Sequence, residues 1–231
     1  MEALMKVALI TGASRGFGAA LADELNARGW SLIVDARHED ALAEAAARWE
    51  NAFAIAGDVS EPAHLDEVAR AVHRLGRLDL LVNNASLLGP SPQPTLDRYP
   101  IGVLASVYDV NVFAPLALTQ LVLSELKASE GIVVNVTSDA GVEPYEGWGG
   151  YGSSKAALDQ LTAILGAENQ SIAAYAFDPG DMRTQMHQEA FPGEDISDRP
   201  EPETIVPALL RLIETRPKSG RYRAADLMVN A

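Results

Sequence analysis

A glycine-rich segment near the start of this 231-residue chain, TGASRGFG at residues 11–18, is the strongest constraint on its fold. It directly follows the apolar run Val7–Ile10, which is typical of a buried strand, and it opens a segment with helical periodicity. Glycine permits a tight turn and a close backbone approach, and a helix N-terminus offers free N–H groups to an anion. The segment therefore predicts a strand–turn–helix unit that cradles a nucleotide phosphate, with a tight turn that binds nothing as the alternative. The residues predicted to contact the nucleotide here are Gly12, Ser14, Arg15, Gly16, Phe17 and Gly18.

Apolar runs and segments of helical period alternate through the rest of the chain. Most of the runs are rich in Val, Ile and Leu, as is typical of parallel strands that are buried on both faces. The alternation predicts an α/β fold: a doubly wound parallel sheet of about seven strands with helices on both faces, in a single domain spanning 1–231. The predicted strands are 5–11, 31–35, 52–56, 78–83, 131–137, 172–177 and 220–224, and the predicted helices are 16–29, 39–49, 61–75, 102–127, 152–168 and 203–215. The segment 180–202 fits neither class and is predicted to be a substrate lid.

Composition and charge exclude several kinds of protein. The chain has no cysteine, which excludes disulfides and cysteine-ligated zinc, and its four histidines show no metal-ligand spacing, so we expect no metal. A net charge of −14 makes nucleic acid an improbable partner. No apolar run approaches the roughly 20 residues that span a bilayer, and no signal peptide is evident, so we expect a cytoplasmic protein without a membrane partner.

Three side chains in the second half of the chain have the spacing of a proton-transfer site. Tyr151 and Lys155 lie four residues apart in YGSSK, so both can face the same side of one helix. A nearby ammonium favours the phenolate form of a tyrosine. Ser138 comes thirteen residues before Tyr151, after a predicted strand, where its hydroxyl can hold a substrate oxygen. With the phosphate cradle, this group predicts an enzyme that moves hydride between a nicotinamide and a carbonyl or alcohol; a surface tyrosine and lysine are the alternative.

The end of the second predicted strand carries both charges that distinguish the two nicotinamide cofactors. An acidic residue there binds the ribose 2′-hydroxyl of NAD, and an arginine takes the 2′-phosphate of NADP. Arg37 and Arg15 could clasp that phosphate from two sides, whereas Asp35 favours NAD if it faces the pocket. Because one position along a strand reverses the face, the register decides between them. We favour NADP(H) over NAD(H).

Together, these motifs resemble those of the short-chain dehydrogenase/reductase family over nearly the whole chain. TGASRGFG matches the family's TGxxxGxG, and NNAS at residues 83–86 matches its NNAG, with Ser86 where glycine is usual. The resemblance implies a Rossmann-type fold and further cofactor contacts. These are Asp58 and Val59 at the adenine, Asn84 and Ala85 after the fourth strand, and Pro179, Gly180 and Thr184 of PGxxxT at the nicotinamide half.

The resemblance also implies a catalytic tetrad of Asn111, Ser138, Tyr151 and Lys155. Tyr151 would be the general acid/base and would also touch the cofactor. Lys155 would bind the nicotinamide ribose and lower the pKa of Tyr151. Ser138 would orient the carbonyl, and Asn111 would hold a water that links Lys155 to solvent.

These expectations define a function and its alternatives. We expect an NADP(H)-dependent oxidoreductase that reduces a ketone or aldehyde to an alcohol. The alternatives are an NAD-dependent alcohol dehydrogenase and, from another class, a catalytically silent dinucleotide-sensing or scaffold protein. The substrate pocket is predicted to be partly apolar, with packing within the lid as the alternative. Its predicted lining is Val142, Tyr145, Trp148, Met182, Met186, His187 and Phe191.

The predicted helices 102–127 and 152–168 carry many small and apolar residues. In the family that the chain resembles, these two helices form a dimer interface with their symmetry mates. A twofold pairing would bury both apolar faces, so we expect a homodimer. A tetramer is possible, although the closing Gly-Gly motif of the family, near its second interface, is replaced here by SGRYRAADLMVNA.

Overall fold

A seven-stranded sheet forms the centre of the structure, a computed structural model that describes residues 5–228. Its strands are β1 (Val7–Ile10), β2 (Ser31–Ala36), β3 (Ala52–Ala56), β4 (Leu80–Asn83), β5 (Ile132–Val136), β6 (Ala173–Asp178) and β7 (Gly220–Arg223). Their order is β3-β2-β1-β4-β5-β6-β7, and each adjacent pair is parallel. The order reverses direction between β1 and β4, which is where open sheets of this kind bind ligands. The predicted α/β architecture is confirmed.

Helices cover both faces of the sheet. They are α1 (Gly16–Ala27), α2 (Glu39–Ala46), α3 (Pro62–Leu75), α4 (Ile101–Tyr108), α5 (Ala114–Leu121), α6 (Leu123–Ala128), α7 (Gly149–Glu168), α8 (Gln185–Ala190), α9 (Pro202–Thr215) and α10 (Ala224–Met228). Alternate strand residues serve alternate faces, because successive side chains of a strand point in opposite directions. Ile10 packs with α1 and α9, whereas Leu9 packs with α3 and α5.

The predicted helix 102–127 corresponds to a helical region of nearly the same bounds, but this region is not one regular helix. A π-helical turn, Asp109–Phe113, separates α4 from α5, and α6 follows after Val122. The wide turn carries Asn111, whose amide hydrogen-bonds the backbone of Leu87 and the hydroxyl of Ser154. Insertions of this kind are frequent at functional sites.

The stretch Ile101–Leu121 is long and apolar enough, by length and composition alone, to cross a membrane. The expectation that no apolar run approaches this length is therefore corrected. Part of it packs within the fold: Leu118 is buried against the sheet, and Asn111 is buried against α7. We therefore keep the prediction that it is a helix of a globular fold.

The segment 180–202 contains the short helix α8, which the sequence analysis did not predict. Thr184 begins it, and its hydroxyl accepts a hydrogen bond from the His187 amide at 3.2 Å. The final helix α10 was not predicted either. Both are of six residues or fewer, too short to show a clear helical period.

Candidate active site

A cavity of about 1060 Å³ opens at the carboxyl ends of the strands, between the glycine-rich segment and α8. Nearly all the residues predicted to contact cofactor or substrate line it. They are Gly12, Ser14, Arg15, Gly16, Phe17, Asp35, Arg37, Asp58, Val59, Asn84, Ala85, Ser138, Tyr151, Lys155, Pro179, Gly180 and Thr184. Gly18 and Asn111 do not line the cavity, but each lies against a residue that does.

The glycine-rich segment has the backbone that a phosphate cradle requires. Gly12 and Gly16 have φ angles of +66° and +58°, which favour glycine. A Cβ atom on Gly18 would lie 2.5 Å from the Asn84 amide nitrogen, so α1 can pass this point only with glycine. Helix α1 has no side-chain cap at Arg15, and this leaves its first N–H groups available to an anion. These features fit the pyrophosphate of a dinucleotide.

Thr11 and Asn84 hold the glycine-rich segment to the end of β4. The Thr11 hydroxyl accepts hydrogen bonds of 3.0 Å from the amides of Asn84 and Ala85. In return, the Asn84 side chain donates to the carbonyls of Thr11 (2.9 Å) and Gly12 (3.1 Å). The side-chain amide of Asn84 therefore fixes the shape of the cradle.

The register of β2 directs Asp35 into the protein. Asp35 is fully buried, and one carboxylate oxygen accepts a hydrogen bond from the Gly12 amide at 2.9 Å. The other oxygen pairs with His64 Nε2 of α3 at 3.1 Å. Burial raises the pKa of Asp35, and the hydrogen bonds from His64 and Gly12 only partly offset it. The expectation that Asp35 contacts a ribose is corrected: its carboxylate supports the glycine-rich segment. Sequence analysis missed His64, whose only signal was a polar side chain on the apolar side of α3.

The two arginines predicted to bind a phosphate differ in their contacts. Arg37 is exposed at the edge of the cavity, one residue beyond β2. Arg15 hydrogen-bonds Gln185 of α8, so it links the cradle to the lid. Asp58 lies near Arg37; burial opposes its ionisation, but hydrogen bonds from Ser60 and the charge of Arg37 prevail and lower the pKa of Asp58.

Ser138, Tyr151 and Lys155 come together at the cavity wall. Tyr151 and Lys155 lie one turn apart on α7, and the lysine Nζ is 5.3 Å from the centroid of the tyrosine ring. Lys155 is buried and donates a hydrogen bond of 2.9 Å to the Val136 carbonyl. The Ser138 hydroxyl, at the end of β5, donates to Asp139 at 2.9 Å. The three catalytic side chains predicted from spacing therefore share one site.

Asn111 has a different environment from the one expected. Its amide nitrogen donates to the Leu87 carbonyl (2.9 Å) and to Ser154 Oγ (3.0 Å). Its oxygen accepts from the Leu87 amide (2.8 Å) and from Ser86 Oγ (3.1 Å). Two donors and two acceptor positions are the full capacity of an asparagine amide. The side chain of Asn111 therefore fixes the loop after β4 against α7, and the water link from Asn111 to Lys155 stays a prediction.

Comparison with known proteins agrees with this geometry. The family model described as short chain dehydrogenase matches residues 6–195. The chain belongs to the short-chain dehydrogenase family. Sepiapterin reductase of Meriones unguiculatus is 35% identical over 199 residues, which cover 79% of this chain and 76% of that protein. An uncharacterised oxidoreductase of Saccharomyces cerevisiae is 35% identical over 185 residues, which cover 78% of this chain and 72% of its own.

Solved structures show the same family fold. An alcohol dehydrogenase from Thermococcus sibiricus, complexed with 5-hydroxy-NADP, superimposes with a TM-score of 0.85 at 28% identity, covering 95% of each chain. A short-chain dehydrogenase from Streptomyces avermitilis has a TM-score of 0.85 at 29% identity, covering 100% of this chain and 93% of its own. This short-chain dehydrogenase is therefore an oxidoreductase with a Rossmann-type dinucleotide-binding fold.

Burial shifts the pKa values of Tyr151 and Lys155 of this dehydrogenase in opposite directions. It raises the pKa of Tyr151 to about 12, with smaller contributions from Asp178 and Asp139. It lowers the pKa of Lys155 to about 8, against the negative charge of Asp159. The expectation that Lys155 brings the tyrosine pKa below its usual range is wrong for this state of the site. Burial therefore favours the neutral form of the Tyr151 hydroxyl, which carries a proton.

Arg221 of β7 joins the elements that carry the catalytic residues. Its guanidinium donates to the Ser138 carbonyl (3.1 Å), to Asp178 at the end of β6 (2.8 Å) and to Asp159 of α7 (3.1 Å). Asp159 lies one turn beyond Lys155 on α7. Sequence analysis missed Arg221, because one arginine in the short strand GRYR gives no sign of these partners.

Aromatic rings form the wall of the cavity next to Tyr151. Trp148 lies 5.9 Å from the Tyr151 ring and 5.7 Å from Phe191, between ring centroids. His187 packs on Phe191 at 4.9 Å. Of the residues predicted to border the substrate, Val142 lies outside the cavity and is exposed, whereas the others line it.

Proposed function

We propose that this dehydrogenase reduces a ketone or an aldehyde to an alcohol, with NADP(H) as its cofactor. The observation that carries the proposal is a buried Tyr151 that shares a cavity with Ser138, Lys155 and a phosphate cradle. Reduction needs a proton donor at the substrate oxygen, and a neutral tyrosine is one. Oxidation would need the phenolate form, which this environment disfavours.

The choice of NADP(H) rests on the charges beside the second strand. Asp35 is fully buried, and its carboxylate oxygens bond the Gly12 amide and His64, so we infer that it does not bind a ribose hydroxyl. Arg37 is exposed at the cavity edge, where a 2′-phosphate would find a guanidinium of suitable shape. The structural relative from Thermococcus sibiricus, which was solved with 5-hydroxy-NADP, supports this choice.

The residues that would hold the cofactor are those of the glycine-rich segment with Arg37, Asp58, Val59, Lys155, Pro179, Gly180 and Thr184. When bound, NADPH supplies a hydride. Tyr151 then donates its hydroxyl proton to the substrate oxygen. The Ser138 hydroxyl turns from Asp139 to hydrogen-bond the same oxygen, and the charge of Lys155 stabilises the phenolate that Tyr151 becomes.

The wall next to Tyr151 favours a substrate with an aromatic or aliphatic group. Trp148, Phe191, Met186 and Leu88 present apolar surface in the same part of the cavity. Apolar lining with a few polar groups is the usual composition of a small-molecule site. Because several relatives are sepiapterin reductases, sepiapterin belongs in a substrate panel with aryl and alkyl ketones.

Fluorescence titration with NADPH and NADH, followed by turnover of that panel, tests the proposed function. We expect tighter binding of NADPH and NADPH-dependent consumption of at least one ketone or aldehyde. Tighter binding of NADH with oxidation of alcohols would instead favour the NAD-dependent alcohol dehydrogenase. Cofactor binding without turnover of any compound would favour a sensor or scaffold.

We also propose that the protein is a homodimer through the helical regions 102–127 and 152–168. Phe113 and Leu121 of the first region and Ile164 of the second are large, exposed apolar residues. A twofold pairing would remove all of them from water.

We expect light scattering to give about twice the chain mass of 24.6 kDa. The double substitution of Phe113 and Ile164 by glutamate should give a monomer, because it would bury charges in the interface. The control is Phe53→Glu, at an exposed position on the edge strand β3. A wild-type monomer would contradict this proposal.

A further inference from the structure

Arg221 of β7 reaches the catalytic serine from two strands away. In the sheet order β5-β6-β7, its Nη2 donates across β6 to the Ser138 carbonyl, which follows β5, at 3.1 Å. Neighbouring strands lie about 4.8 Å apart, so the contact spans about 10 Å of sheet, which only a long side chain can cover. The register pairs Arg221 with Ala176 of β6, and this small residue leaves room for the guanidinium to cross. The sheet therefore places a guanidinium next to the backbone of Ser138.

The Ser138 carbonyl is held from two sides. It also accepts a hydrogen bond of 3.0 Å from the Gly141 amide, which closes the turn after β5. A carbonyl oxygen has two acceptor positions, and Gly141 and Arg221 use both of them. The first bond is local, whereas the second ties the backbone of Ser138 to the edge strand of the sheet. Together they fix the Cα atom from which the Ser138 side chain turns from Asp139 to the substrate.

The same guanidinium holds two other parts of the site. It donates to Asp178 at the end of β6 (2.8 Å), whose other carboxylate oxygen accepts from the Gly180 amide at 3.0 Å. Gly180 is one of the residues predicted to contact the nicotinamide half of the cofactor. The guanidinium Nε donates to Asp159 (3.1 Å), one turn beyond Lys155 on α7. An arginine has five N–H donors in a rigid fork, which suits three acceptors on three different elements.

We propose that Arg221 is a positioning residue for the carbonyl reduction. It holds Ser138 and the turn 178–180 at fixed positions relative to α7, the helix that carries Tyr151 and Lys155. The inference rests on the proposed function. Arg221 does not line the cavity, so it acts through these residues and does not touch the substrate. A shift of about 1 Å in a reacting group can lower a rate about 100-fold, so loss of the guanidinium should affect kcat more than binding.

Arg221→Ala tests the inference, with kcat counted per NADPH-binding site so that unfolded protein does not contribute. We expect kcat for reduction to fall about 10- to 100-fold. The Kd for NADPH should stay close to that of the wild type, because the hydrogen-bond partners of Arg221 lie away from the glycine-rich segment and Arg37. An unchanged kcat would overturn the inference.

Rescue by added guanidinium distinguishes a lost contact from a misfolded site. The Arg221 side chain is 24% exposed, so a small cation can enter the space that Arg221→Ala leaves. Millimolar guanidinium should restore part of kcat. Urea has a similar planar shape without the charge and should restore little, because it makes no charge-assisted hydrogen bonds. A loss of kcat that guanidinium does not restore at all would count against the inference.

Two variants separate positioning from a general effect of charge. Arg223→Ala removes an exposed arginine two residues along the same strand, which pairs with Asp226 at 3.8 Å, and should leave kcat unchanged. Arg221→Lys keeps the positive charge but offers one nitrogen to acceptors on three elements, so its kcat should remain below the wild-type value. Wild-type kcat in Arg221→Lys would overturn the inference, because charge alone would then suffice.

Amide hydrogen exchange, read by NMR, separates this inference from failure of the proposed function, since it requires no turnover. The amides of Gly141 and Gly180 should exchange faster in Arg221→Ala than in the wild type, and at the wild-type rate in Arg223→Ala. Unchanged exchange at both amides would overturn the inference. Faster exchange in a protein that reduces no carbonyl compound would reject the proposed function and retain Arg221 as the residue that holds these two turns.

Discussion

Tyr151→Phe is expected to lower kcat for NADPH-dependent ketone reduction by about 10²–10⁴-fold, the usual contribution of a general acid. The substitution removes only the hydroxyl that would protonate the substrate oxygen. The ring, which packs on Trp148 and lies under Lys155, is retained. NADPH affinity should therefore stay close to that of the wild type. Steady-state kinetics and fluorescence titration on the same preparation would measure both quantities.

The matched control is Tyr145→Phe, which removes a tyrosine hydroxyl from the same cavity. That hydroxyl donates to Asp139 at 2.9 Å, and its ring is about half exposed. We expect turnover close to the wild-type value. If Tyr151→Phe also kept most of its activity, the proton would have to come from another group, and the proposed mechanism would be wrong. A protein that only senses dinucleotides would respond to neither substitution.

The fold could be predicted because its signals are local. Parallel strands buried on both faces are short apolar runs, and each of the seven predicted strands overlaps an observed one. The glycine-rich segment was equally informative, since the positive φ angles at Gly12 and Gly16 exclude most other residues. Tyr151 and Lys155 could be placed together because helical spacing puts residues four apart on one side.

Contacts between distant parts of the chain could not be predicted in this way. The direction of Asp35 depends on the register of β2 and on His64, which lies on a separate helix. The partners of Asn111 depend on a π-helical turn that a 3.6-residue period does not reveal. The bonds of Arg221 join three elements that are far apart in sequence. The raised pKa of Tyr151 follows from burial, which spacing alone does not reveal.

Arg37→Ala is expected to weaken NADPH binding by about 10- to 100-fold and to leave NADH binding nearly unchanged. Arg37 is exposed at the cavity edge beside the end of β2, where only the 2′-phosphate distinguishes the two cofactors. Loss of the guanidinium removes charge-assisted hydrogen bonds that NADH cannot make. Fluorescence titration with each cofactor gives the two values of Kd, and their ratio measures the preference.

Arg48→Ala is the matched control, because Arg48 is an exposed arginine that pairs with Asp23 and lies on the Trp49 ring, away from the cavity. It should change neither Kd.

Arg15→Ala distinguishes the two candidate phosphate ligands. Because Arg15 is hydrogen-bonded to Gln185, its loss should alter the contact with the lid as well. If Arg37→Ala weakened NADPH and NADH equally, Arg37 would act on a part common to both cofactors. The preference for NADP(H) would then lose its structural basis. Asp35 would not supply the opposite preference, because it is buried and its carboxylate bonds the Gly12 amide.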